Sequence, residues 1–242
     1  MNDLTPYLAK QRLSRAMVKL DELENRVALG LPNVPTPSDE RRLASNVRDG
    51  LALVAREVRD KTRTVVSNGD LSDSGKVKQL EAIAASIRPR IEILRKAVTN
   101  RVEERLATLR AQLTQPLTGR AKDDVIGEVR AGEIRTRLSA MDEASRIAKL
   151  WNAVDIGDEE TLHAIATAPK SFSIVGGDDL AKATEAFWQK QQPEIVEEIS
   201  DLETIGQLLA DDFQAMDCAL DNLAEIARYN PASEGQTSDE TE

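Results

Sequence analysis

In KVKQLEAIAASIRPRIEILRKAVTNRVEERLATLRAQL, residues 76–113, one apolar pattern runs without a break. Its apolar side chains Val77, Leu80, Ala84, Ile87, Ile91, Leu94, Val98, Val102, Leu106, Leu109 and Leu113 recur in steps of three or four. That spacing places them on one stripe of a single helix. Ten steps over 36 residues average 3.6, the period of a straight helix rather than the 3.5 of a strict heptad, so little left-handed supercoil is expected. Pro89 lacks the amide that would close a helical turn, yet the stripe stays in phase on both sides, which predicts a kink and not an end. A helix this long cannot bury its stripe alone. It needs partner helices.

Upstream, Asn68-Gly69-Asp70 is a turn, and the short loop after it leads back to a second stripe: Leu43, Val47, Leu51, Val54, Val58 and Val65. Ser38 or Thr36 caps that helix, with Asp39 and Glu40 against the positive end of its dipole. Two long amphipathic helices on so short a connection predict an antiparallel hairpin over residues 38–117. Before it, residues 30–37 hold three prolines and read as an extended linker. Leu8, Leu13, Val18, Leu20, Leu23 and Val27 mark a first helix, giving an N-terminal segment 1–37.

Downstream, Gln115 to Gly119 reads as a boundary. Val125, Val129, Ile134, Leu138, Met141, Ile147, Leu150 and Val154 then mark one further helix. A short helix over Glu159–Thr167, a loop at Pro169–Phe172, and a helix from Gly176-Gly177 to about Gln192 follow. Pro193 suits the first turn of a last helix, Glu194–Tyr229, whose stripe Ile199, Leu202, Leu209, Phe213, Met216, Leu220, Leu223 and Ala227 is nearly heptad. The acidic, low-complexity residues 231–242 predict disorder. Between Tyr7 and Trp151 there is no aromatic residue, whereas Trp151, Phe172, Phe187, Trp188, Phe213 and Tyr229 crowd the C-terminal half. Aliphatic seams suit paired rods and aromatics suit broad cores. The expected class is therefore all-α with no sheet: an elongated, kinked hairpin, then a compact helical region over 118–230 around Trp151, Phe172 and Phe187.

The chain is 242 residues long, 40% hydrophobic, 31% charged and only 3% aromatic, a mixture that favours long helices. A single cysteine, Cys218, excludes an intrachain disulfide framework and any multi-cysteine zinc site. The first residues lack a basic region followed by an apolar core, and no 18-residue apolar run occurs, so no signal peptide, no membrane partner and a cytoplasmic location are expected. The net charge of −10 is uneven. Residues 38–113 hold 16 Lys/Arg against 11 Asp/Glu, while residues 193–242 hold 14 Asp/Glu against Arg228. The two poles suit solvated faces, mutual attraction, or different partners.

Little of this looks catalytic. Glu160 and His163 have the Glu-x-x-His spacing of carboxylate-bridged metal bundles, but no second histidine exists to complete such a site. The loop from Asn68 has Asp73 where a calcium loop needs glycine and Gln79 where it needs glutamate. Gly176-Gly177 lacks the Lys-Ser/Thr of a phosphate loop. No cofactor, no metal and no enzymatic activity are expected. A basic helix face, Arg41, Arg42, Arg48, Arg56, Arg59, Lys61 and Arg63, would be the nucleic-acid surface if there were one. It is interleaved with Asp49, Glu57 and Asp60 and has no stacking aromatics.

Two segments carry a resemblance. Leu71-Ser72-Asp73-Ser74-Gly75-Lys76, opening the long helix, and Ala166-Thr167-Ala168-Pro169-Lys170-Ser171-Phe172, followed by Gly177-Asp178-Asp179-Leu180, are similar to modules in helical proteins encoded by tailed bacteriophages and prophages. That resemblance implies a virion or assembly role and carries over no catalytic residue. The expectation is a non-enzymatic structural, assembly or interaction protein of host cytoplasm or virion. It would act through protein partners as a homo-oligomer or larger assembly, using the stripe Val77, Leu80, Ile87, Ile91, Leu94, Val98, Val102, Leu106, Leu109 and Leu113, with the acidic last helix as a second docking surface. The alternative is a nucleic-acid-associated regulator using Arg41–Arg63.

Overall fold

A computed structural model describes residues 5–32, 38–117, 124–169 and 174–226, and among them there are eight helices and no strand. They are α1 (Thr5–Ala28), α2 (Asp39–Ser67), α3 (Asp73–Leu113), α4 (Val125–Ser139), α5 (Glu143–Ile156), α6 (Glu159–Ala166), α7 (Gly177–Gln191) and α8 (Pro193–Ile226). The class is all-α. The chain forms two compact units, Met1–Glu103 with Leu202–Glu242, and Glu104–Asp201. It leaves the first unit within α3 and returns to it within α8.

In the first unit, the local signals act as expected. The Ser38 hydroxyl accepts from the Arg41 amide at 3.1 Å, and Ser72 does the same for Gly75 at 3.1 Å, so α2 and α3 both begin on side-chain caps. Helix α3 runs through Pro89, which is exposed. Ion pairs Glu57–Arg90 and Glu40–Arg101 join α2 to α3, residue numbers falling on one helix as they rise on the other, so the two are antiparallel.

The hairpin is only half of what is built. Arg59 pairs with Asp21 and Glu24 on α1, and Arg12 and Arg26 of α1 reach Glu225 and Asp212 on α8. Arg88 and Arg95 of α3 meet Asp221 and Asp217 on α8. Every neighbouring pair is antiparallel. The unit is an up-down four-helix bundle whose fourth helix is supplied by residues 202–226. Leu20, Leu23, Leu51, Ile87, Ile91, Leu202, Ile205, Met216 and Leu220 are among its largest fully buried side chains. The grouping therefore differs from the segments 1–37, 38–117 and 118–230 read from the sequence. Leu20 and Leu23 tie α1 into the core, and the stripe of α8 covers apolar surface that a two-helix hairpin would leave open. Val18, counted in the stripe of α1, points outward, and Ala16 takes the inward place.

The second unit packs α4, α5, α6 and α7 around Leu117, Leu138, Leu150, Leu162, Ile165 and Phe187. The single helix expected over Val125–Val154 is two helices. Asp142 breaks it by accepting from the Ser145 amide at 2.9 Å, the cap of a new helix. The apolar spacing already faltered there, jumping six residues from Met141 to Ile147. Val125 and Val129 face outward, and the inward face of α4 is Gly127, Ala131 and Leu138. Trp151 sits at the surface, and among the described residues Phe187 is the buried aromatic of this core, with Trp188 edge-on to it at 5.3 Å. Phe172, the linker residues 33–37 and the tail 231–242 lie outside the described residues.

Helix α5 ends on Gly157, whose φ of +72° is the left-handed conformation that closes a helix. A Cβ there strains the backbone by about 1–2 kcal/mol, so Gly157→Ala should lower the unfolding free energy by that amount in urea titrations. Among the described residues, no helix is long and apolar enough to cross a membrane.

Candidate functional site

The sites proposed from sequence are best judged by where the bundle puts them. Of the stripe, Leu80, Ile87, Ile91, Val98, Val102, Leu109 and Leu113 are buried, and Val77, Leu94 and Leu106 are partly buried. The buried ones are core, and the partly buried ones keep some exposure. Most of the stripe expected to meet a second copy is covered within the chain itself.

The seven basic residues do not form one face. Arg41 and Arg48 are buried, and Arg59 is turned toward α1, because residues 41, 48 and 59 share the inward phase of α2 with Ala44, Leu51 and Val58. Arg42, Arg56, Lys61 and Arg63 point outward. Three of those four lie near carboxylates: Arg42 near Asp39, Arg56 near Glu24 and Lys61 near Glu57.

What the fold assembles instead is a buried ionic node. Arg48 and Asp212 are 3% and 1% exposed, and Arg48 Nε donates to Asp212 Oδ2 at 2.7 Å. Arg26 approaches the other carboxylate oxygen at 3.4 Å and donates to the Asp211 carbonyl at 3.1 Å. The two remaining nitrogens of Arg48 donate to the carbonyls of Arg26 and Gly30, each at 2.9 Å. Those carbonyls belong to the end of α1, where the chain turns at Gly30 with φ +73°. One guanidinium thus caps the negative end of α1, crosses the core from α2 and neutralises α8. Its fork geometry is what permits this, since a lysine could not serve three acceptors in a plane.

Around the node runs a charge-matched set of contacts. Arg12 binds Asn222 and Glu225, and Arg88 and Arg95 bind Asp221 and Asp217. Arg95 also lies 5.1 Å over the ring of Phe213, a cation–π contact. In the second unit, Arg105 holds Glu198 by both carboxylate oxygens, at 2.8 and 3.0 Å. The acidic pole of the last helix and the basic pole of residues 38–113 are thus partners within one chain.

Glu57 bridges Lys61 and Arg90, and these hydrogen bonds hold its carboxyl below the ordinary glutamate range. A depressed carboxyl adds stability above its unfolded-state pKa, and that contribution is lost as pH falls through the lower folded-state value. Glu57→Gln should therefore weaken the fold at neutral pH and flatten the acid limb of its stability–pH curve, measured by urea unfolding between pH 7 and 3.

His163 is buried on α6, its backbone carbonyl accepting from Thr167, and Glu160 on the same helix lies 3.8 Å from Arg130. No group of three or more His, Cys, Asp or Glu among the described residues could hold a metal ion. The described residues form clefts open to solvent. One, of about 400 Å³, lies against Leu117, Ala166, Leu180 and Thr184. Another, of about 530 Å³, lies between α2 and α3 beside Thr64, Val65, Ala82 and Ile83. Compared with known proteins, the chain matches no family model, no curated protein and no solved structure.

Proposed function

We propose that the protein is a non-enzymatic structural or assembly component that works by being bound by other proteins, the role implied by its resemblance to helical phage and prophage proteins. The observation that carries this reading is the use of its charges. Arg12, Arg26, Arg48, Arg59, Arg88, Arg95 and Arg105 each take a carboxylate on a different helix, so these charges are committed to holding helices together. Association with partners falls to outward residues, since most of the α3 stripe is buried. The same arrangement counts against the nucleic-acid alternative. A phosphate-binding stripe needs several unshared cations on one face, and α2 divides its cations between inside and outside.

Sedimentation of the native protein from its own cells tests this. It should travel in a complex of fixed composition well above its 26.6 kDa, and nuclease should leave that complex intact. A 26.6 kDa monomer under every condition would overturn the reading, and a complex that collapses on nuclease treatment would favour the nucleic-acid alternative.

A further inference from the structure

We draw no further inference here: the strongest candidate, the outward apolar patch of Val125, Ile126 and Val129 on the first turns of α4, carries nothing because no feature of the described residues shows what covers it.

Discussion

Asp212→Leu should be among the most damaging single substitutions in the chain, lowering unfolding stability by about 3–5 kcal/mol. The carboxylate is 1% exposed and faces Arg48 at 2.7 Å, with Arg26 at 3.4 Å. Removing it strands a guanidinium in the core, where an unpaired charge is costly. Arg26 is 37% exposed and can turn to water; Arg48, at 3%, cannot. Arg48→Met should be comparably harmful because it leaves Asp212 charged and also bares the carbonyls of Arg26 and Gly30. The combination behaves differently. Replacing a buried ion pair by apolar side chains is often neutral, so Arg48→Met with Asp212→Leu should recover most of the loss. A residue of about 1–2 kcal/mol should remain for the uncapped end of α1. Urea unfolding of the four proteins gives all these values. A double variant whose loss equals the sum of the two single losses would show that the two side chains do not act as a pair.

The second large effect separates two isoleucines two positions apart. Ile91 is 1% exposed and Ile93 is 69% exposed, on opposite sides of α3. Ile91→Ala should cost about 2–5 kcal/mol through lost burial and the cavity it leaves. Ile93→Ala should change stability by less than about 0.5 kcal/mol. If the α3 stripe were a docking surface for another copy, the difference would vanish at low protein concentration: Ile91→Ala would be harmless to the monomer and would abolish association instead. Urea midpoints measured at two protein concentrations distinguish these outcomes.

How much of this was legible in the sequence depends on whether the signal is local. Helix positions follow from apolar spacing and from caps such as Ser38, which act within a few residues. The break at Asp142 was visible in principle, as a capping residue three before Ser145 at the point where the spacing falters, but the long apolar series on either side masked it. The pairing of helices is another matter. Arg48 lies four residues after Ala44 and three before Leu51, on the apolar phase. Asp212 sits between Leu209 and Met216 in the same way. A charge in phase with a core stripe is a sign of burial with a partner, and it identifies both ends of the node. It does not say that they belong to each other, because 164 residues separate them. The charge poles were legible too. That they meet within one chain, as Arg12, Arg88 and Arg95 meet the acids of α8, is decided by tertiary packing.

Helix α8 closes the bundle begun by α1, α2 and α3, and the coupling energy between Arg48 and Asp212 is the sharpest check of that closure. A double-mutant cycle in urea should return a favourable interaction of at least ~2 kcal/mol, as for side chains in contact. A coupling within ~0.5 kcal/mol of zero, the additivity of distant sites, would mean that the two residues do not meet and that residues 202–226 do not form the fourth helix.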